Sequence, residues 1–387
     1  MGVAKQINEM MAEYPWAARI PVEGKDAARV IDLSTSAPSG QPPESVRRAF
    51  LDAVQNEKPG AHRYMTNAGY IETRRAVSRH LAESAGIEVP PELIVMCYGA
   101  SGGINTTLKA LLDPEEEVII VAPHPFEDPI FVWNHGGTPI VVGSNADFSL
   151  NVGRTAAAAD LHTKALLISC PNDPTGAVYA DGSIRELAGL LEARQKEFNN
   201  TIYLIWDSRY SRIMYDGEPV TNIFSLYENS ILVGSFSKDL VVGGDRGGYV
   251  AVNPRCPYKE KVFAAIAMVI RTLGFVNCPA LVQNAIAHMD FGNSELPSYT
   301  KARDLVCGAL REFGYEFQEP QGGYFVFVKS PTGNDDFVGK LKEKGVLVAP
   351  GAAFGAPGYF RVSFCVEEDN LREALRVFEK LSPAGNA

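Results

Sequence analysis

Residues 230–252 read Ser230-Ile-Leu-Val-Gly-Ser-Phe-Ser-Lys-Asp-Leu-Val-Val-Gly-Gly-Asp-Arg-Gly-Gly-Tyr-Val-Ala-Val252. Two short apolar runs, 231–235 and 248–252, flank a polar turn rich in glycine. Both runs are continuous rather than alternating, the pattern of a strand covered on both faces. The same pattern recurs at 93–97, 118–122, 140–142, 165–170 and 202–206. Helical spacing lies between many of these runs. In 183–198, Ile184, Leu187, Leu190 and Leu191 share a face, and Ser183 with Glu186 fits a capping box. Seven buried runs with interleaved helices predict an α/β fold built on a mainly parallel sheet.

The end of the 387-residue chain reads differently. Runs 324–328 and 360–364 look like strands of a smaller α+β unit, and 368–381 reads as a closing helix. Residues 31–43 are rich in Ser, Thr and Pro and read as an extended link. The expected division is 1–45 as an N-terminal arm with part of the small domain, 46–275 as the large domain, and 276–387 as the small domain. A chain of this size buries about 75% of its unfolded surface, so a large core forms without disulfides.

Composition closes several functional classes. Hydrophobic residues make up 46% and charged residues 21%, which sets aside disorder, collagen and coiled coil. A net charge of −10 without a basic block argues against nucleic acid or an anionic membrane as partner. Cys97, Cys170, Cys256, Cys278, Cys307 and Cys365 contain no Cys-x-x-Cys pair, and several sit in apolar runs. This favours a reducing, cytoplasmic compartment. No His-x-x-x-His spacing occurs, and no metal is expected. The N-terminus lacks an apolar signal core. The longest apolar run, 262–270, meets Arg271 and falls short of the ~20 residues that span a bilayer.

Chemistry gathers at the strand ends. Lys238 follows the run 231–235; a lysine in a partly desolvated strand-end site has a lowered pKa and forms Schiff bases. Taken alone it reads more readily as a solvated lysine after a strand. Arg246 lies in Gly243-Gly-Asp-Arg-Gly-Gly248, where glycines admit a ligand close to the backbone and the guanidinium fork suits phosphate. Ser235 and Ser237 offer further donors. Tyr98-Gly-Ala-Ser-Gly-Gly103 leads from a strand into a helix expected to begin near Gly102, a turn that aims N–H groups at an anion. It carries no lysine and does not fit Gly-x-Gly-x-x-Gly, so it suits one phosphate better than a polyphosphate. Asp207 ends the run 202–206, on the side where parallel sheets bind ligands, and can hold a protonated ring nitrogen. Tyr210 can donate to a phenolate oxygen. Pro171-Asn-Asp-Pro-Thr-Gly176 also follows a strand, and alone is a Pro/Gly turn. Arg361, in an apolar strand, is costly unless paired and suits a clamp on a carboxylate. The whole set matches the needs of pyridoxal phosphate acting on an amino acid.

With His62-Arg-Tyr64, Tyr98-Gly-Ala-Ser101, Pro171-Asn-Asp-Pro-Thr-Gly176, Asp207-x-x-Tyr210, Ser235-x-Ser-Lys238, Arg246 and Arg361 in order, the chain resembles the class I/II aminotransferases. These are fold-type I pyridoxal-phosphate enzymes of the aspartate aminotransferase superfamily, and the likeness runs from about Asp32 to Leu381. The resemblance implies a large domain with a seven-stranded, mainly parallel sheet and a smaller α+β domain. It implies amino-group transfer between an α-amino acid and a 2-oxo acid. Lys238 would be the Schiff-base lysine and proton carrier, Asp207 would keep the ring nitrogen protonated, and Tyr210 would donate to the phenolate oxygen. Ala100, Ser101, Ser235 and Arg246 would hold the phosphate, and Arg361 would bind the substrate α-carboxylate. Tyr64 resembles the tyrosine that reaches the phosphate from a partner subunit, which implies a homodimer.

Three positions depart from the family pattern. Asp173 stands where an Asn donates to the cofactor oxygen and helps seat the substrate; an ionised Asp cannot donate and repels a carboxylate. Pro125 takes the place of the aromatic residue that covers the ring, leaving His124 or Phe126 for that task. Arg209 replaces a small residue or Pro. Asp173 and Ser36, with the rest of the 34–39 stretch, are candidates for contact with substrate, as are Arg209 and Arg271. An acidic side chain would want an arginine, a basic one a carboxylate such as Asp173. The departures keep open a second reading, with the same cofactor but elimination, cyclisation or oxidation of the amino acid. A non-catalytic amino-acid sensor on this fold is a third, weakened by the presence of Lys238 and Asp207.

Overall fold

The computed structural model describes residues 2–13, 30–289, 291, 298–333 and 336–383; residues 14–29 of the expected N-terminal arm lie outside them. After a short strand β1 (Ile31–Asp32), seven strands build one sheet. They are β2 (Ile94–Cys97), β3 (Glu117–Ala122), β4 (Thr138–Gly143), β5 (Thr163–Ser169), β6 (Tyr203–Asp207), β7 (Ser230–Ser235) and β8 (Gly248–Val252). Their order is β2-β8-β7-β6-β5-β3-β4, and only β8 runs antiparallel to its neighbours. The carboxyl ends of β3, β5, β6 and β7 therefore share one edge. After β4 the chain crosses back over β3 to start β5, and a crevice opens at such a reversal.

Most of these strands are buried on both faces, as their continuous apolar runs predict. The run 140–142 is the exception. It lies in β4, the edge strand, where Val141 is 49% exposed because no neighbour covers that side. Two helix starts also shift. The helix Asp181–Phe198 begins before Ser183, with Ala180 as its cap and no side-chain cap bond, so the expected capping box does not form. Asp181 in the first turn complements the helix dipole instead. The helix Gly99–Leu111 begins at Gly99 rather than near Gly102. Gly99 has φ +67°, and a Cβ there would lie 2.9 Å from the Arg246 guanidinium.

The second unit holds β9 (Phe325–Lys329), β10 (Val346–Leu347), β11 (Ala349–Pro350) and β12 (Tyr359–Ser363). The order β11-β12-β9 is antiparallel, and β10 pairs in parallel with β1. The helix Glu368–Lys380 closes it, burying Leu371, Ala374 and Phe378 against Val326, Val328 and Phe360. The expected boundary at 275/276 falls too early. Cys278, Val282, Ala285, Ile286 and Phe291 pack into the core of the large sheet, because the helix Ala280–Ala287 lies against the helices of that layer. Conversely Tyr210, Ile213 and Tyr215, just beyond β6, belong to the second core. The two cores thus interlock at the carboxyl end of β6. Among the described residues no helix is long and apolar enough to cross a membrane, and no group of His, Cys, Asp or Glu is placed to hold a metal ion.

Two glycines test the packing. A Cβ on Gly248 would lie 2.7 Å from the Gly99 backbone and 2.8 Å from the Gly234 carbonyl. Gly248→Ala should therefore lower stability by about 1–3 kcal/mol, read as a fall in the denaturant midpoint. Gly189 is exposed within the helix Asp181–Phe198 with open space around it, so Gly189→Ala should raise stability by about 0.5–1 kcal/mol.

Candidate active site

A cavity of about 410 Å³ opens where the strand ends meet the second unit. One end is an anion cradle. Ala100 and Ser101 stand in the first turn of the helix Gly99–Leu111, whose N–H groups lack partners within the helix. Ser235, Ser237, Gly243, Gly244 and Arg246 complete the wall. The Ser235 hydroxyl donates to that of Ser237 at 2.9 Å and accepts the Ser237 N–H at 3.1 Å. Arg246 is aimed by its own left-handed backbone, φ +62°, and donates to the carbonyls of Tyr98 at 3.0 Å and Gly243 at 2.9 Å. The glycines on both sides leave room for it.

Lys238 faces the same cavity. Its Nζ donates to the Ser36 carbonyl at 2.6 Å and to the Ser36 hydroxyl at 3.1 Å. Tyr324 donates to the same carbonyl at 2.6 Å, so one backbone oxygen on the extended link takes both donors. Burial, and then the positive charge of Arg209, push the Lys238 amine down to about 8.

Arg361, expected to bind a carboxylate, already holds one from the chain itself. Arg361, on β12, donates from Nη1 to Asp173 Oδ1 at 2.6 Å and from Nη2 to the Ser34 carbonyl at 2.7 Å. Tyr210 donates its hydroxyl to Asp173 Oδ2 at 3.1 Å. Burial opposes the charge on Arg361, but Asp173 outweighs it and raises the guanidinium pKa. Asn172 does not take over the role of the missing Asn. Its amide donates to the Pro123 carbonyl at 3.0 Å and accepts from Thr175, tying the turn together from behind.

Asp207 lies beneath the cavity rather than in its wall. Its carboxylate is fully covered, and Oδ2 accepts from Arg209 Nε at 2.6 Å. Arg209, itself buried, lines the cavity in its place. Burial raises the Asp207 pKa, with Arg209 opposing. Arg209 stays charged: burial works against it, but Asp207, Glu127 and Asp128 prevail. Asp128, at the start of the helix Asp128–Asn134, is pushed well up by burial.

Of the two residues left for covering a ring, Phe126 lines the cavity, whereas His124 is buried and turned to the Pro125 carbonyl. Tyr64 is 87% exposed and lies outside the cavity of its own chain. Arg271 is exposed at the end of the helix Lys259–Thr272 and does not reach it. Glu127, Val241 and Tyr324 went unnoticed in the sequence. Glu127 and Val241 have no motif, and Tyr324 reads there only as a strand aromatic.

The profile of aminotransferase class I and II matches residues 28–378. The chain belongs to that family. An aspartate/prephenate aminotransferase of Thermus thermophilus is 30% identical over 91% of this chain and 91% of its own. A solved amino transferase of Eubacterium rectale superposes with TM-score 0.87 at 30% identity, covering 98% of this chain and 96% of that one. The Thermus thermophilus aspartate aminotransferase solved with maleate gives 0.83 at 25% identity, over 98% and 100%. The protein is an aminotransferase of fold type I that uses pyridoxal phosphate and acts on amino acids and 2-oxo acids. The residues present fit that cofactor: first-turn amides of Ala100 and Ser101 with Ser235 and Arg246 suit its phosphate, and a buried lysine with a depressed pKa faces the same cavity.

Only the neutral amine of Lys238 attacks an electrophile, and its pKa is pulled below that of free lysine. Trace acetylation of the protein without cofactor should therefore show Lys238 reactivity rising about tenfold per pH unit up to about 8 and levelling above it. A free lysine amine measured alongside should continue to rise toward about 10.4.

Proposed function

We propose that Lys238 carries the cofactor and the proton in transfer of an amino group between an α-amino acid and a 2-oxo acid. The observation that carries the reading is one buried lysine with a lowered pKa, facing the same cavity as the Ala100–Ser101 turn, Ser235, Arg246 and Asp173, with Arg361 held by Asp173. Bound pyridoxal phosphate supplies the aldehyde that takes the amino group and a ring that disperses charge from Cα. The chain supplies the rest. First-turn amides of Ala100 and Ser101, with Ser235 and Arg246, hold the phosphate. Phe126 covers a ring face in the place lost to Pro125. Arg361 seats the α-carboxylate, and Tyr210 orders Asp173 beside it. Lys238 Nζ takes and returns the proton at substrate Cα. Ser36, which holds that amine beforehand, places it on the side facing substrate.

Asp173 shapes this seat. Its carboxylate already neutralises Arg361, so an arriving α-carboxylate competes with it. Asp173→Asn should lower the KM for the amino acid by about tenfold, a difference of ~1.4 kcal/mol. It should also lower thermal stability, because Arg361 loses its counter-charge.

Two copies are proposed to pair, with Tyr64 reaching the phosphate of the other. Its exposure, and that of the apolar Leu51, Val54 and Met268, supports this. Sedimentation should give twice the chain mass, and Tyr64→Phe should weaken cofactor binding about tenfold, the worth of one bond to a charged group. A cytoplasmic setting is proposed on six cysteines that are all free and buried.

The deciding experiment incubates the loaded protein with an amino acid panel and a 2-oxo acid, then measures both new amino acid and ammonia. Aminated acceptor that vanishes in Lys238→Ala supports transfer. Ammonia or a cyclised product without aminated acceptor would overturn it in favour of elimination, cyclisation or oxidation. The relatives, named as aminotransferases, favour transfer.

A further inference from the structure

Among the described residues, the charged side chains that line the cavity are Glu127, Asp173, Arg209, Lys238 and Arg246. All but Glu127 have partners in the chain. Arg246 is held by two backbone carbonyls, Lys238 by Ser36, Arg209 by Asp207, and Asp173 by Arg361 and Tyr210. Glu127 is half-buried, and its carboxylate makes no hydrogen bond or ion pair among the described residues. It stands at the cap position of the helix Asp128–Asn134, yet its side chain does not cap that helix. Pro125 and Pro129 flank it, and the Asp128 N–H binds the Pro125 carbonyl at 3.1 Å, so the turn that presents it is stiff. Its negative charge favours the protonated forms of both Arg209 and Lys238, which puts it within range of whatever Lys238 meets.

We propose that Glu127 receives the side chain of the amino donor and selects a donor whose side chain ends in a cation. This rests on the reading of Lys238 as the cofactor lysine and of Arg361 as the seat of the α-carboxylate. In that reading Arg246 meets phosphate, Lys238 meets the reacting carbon, and Asp173 attends Arg361. Glu127 is left without a task, and Ala37, Pro38, Gly40 and Val241 add no charge to the wall. A substrate that fills the cavity displaces water from Glu127. An ionised carboxylate stripped of water without a donor is costly. An ammonium or guanidinium group offsets that cost with charge-assisted bonds, whereas a second carboxylate adds repulsion. Arg209 is a poor receiver for an acidic side chain. It is only 7% exposed, its Nε and backbone N–H are turned to Asp207, and it shares its surroundings with Glu127.

The test compares L-arginine with L-citrulline, which has nearly the same shape without the charge, and with L-aspartate. Each is mixed with the loaded full chain without acceptor, and loss of the visible cofactor band is followed. The second-order rate constant should be about tenfold higher for arginine than for citrulline, with aspartate lowest. Glu127→Gln keeps the size and removes the charge, and should bring the arginine-to-citrulline ratio close to one. Glu127→Lys should put aspartate ahead of arginine. Equilibrium binding to the Lys238→Ala chain, which lacks the amine for turnover, should follow the order of the unmodified protein. Equal rate constants for arginine and citrulline in the unmodified protein overturn the inference whether or not the variants fold. So do a lack of reaction with arginine and a ratio that Glu127→Gln leaves unchanged. The reading beneath it fails separately. Ammonia without aminated acceptor removes transfer, whereas aminated acceptor formed with no preference for arginine removes only the role of Glu127.

Discussion

The ion pair between Asp173 and Arg361 holds the two halves of the molecule in register. Asp173 belongs to the loop after β5 and Arg361 to the middle of β12, so a contact of 2.6 Å joins the large sheet to the second unit. Both side chains are almost fully covered. Taking two charges from water is costly, and the pair is sustained only because its remaining bonds are met: Tyr210 on one carboxylate oxygen, the Ser34 carbonyl on the guanidinium. Removing either partner would strand the other. The pair that ties the cores together therefore also occupies the guanidinium proposed to seat an α-carboxylate.

Charge alternates around the cavity in a way that follows from this constraint. Arg361 is matched by Asp173, Arg209 by Asp207, and Arg246 by two backbone carbonyls. Lys238 has no carboxylate partner and leans on Ser36 instead. Burial therefore weighs against its protonated form, and its amine drops to about 8, while Asp207 and Asp173 help keep Arg209 and Arg361 charged. A nucleophilic amine arises where a buried cation lacks the carboxylate that Arg209 and Arg361 each have.

Much of this was legible in the chain. Two-sided burial leaves continuous apolar runs, and all seven strands of the large sheet could be read from them. The motif residues at strand ends converge because parallel strands put their carboxyl ends on one edge, and Lys238, Ser235, Arg246, Ala100 and Ser101 meet there. What could not be read depends on contacts distant in sequence. β4 looks like its neighbours but lies at an edge, and the helix Ala280–Ala287 is apolar enough for either core. Arg209 stood out as unusual, yet nothing in Asp-Ser-Arg-Tyr says that its side chain folds back over Asp207. That geometry is a matter of rotamers, which a pattern of residue types does not encode.

The Ser36 carbonyl binds Lys238 with one lone pair and Tyr324 with the other. Lys238 also donates to the Ser36 hydroxyl, while the Tyr324 bond stands independently of the lysine. The link carrying Ser36 keeps its tether to the small unit through Tyr324, and Ser34 keeps Arg361. The stretch beside the cavity is thus tied to the small unit by bonds that do not involve the lysine, and its shape is decoupled from the amine that faces the cavity.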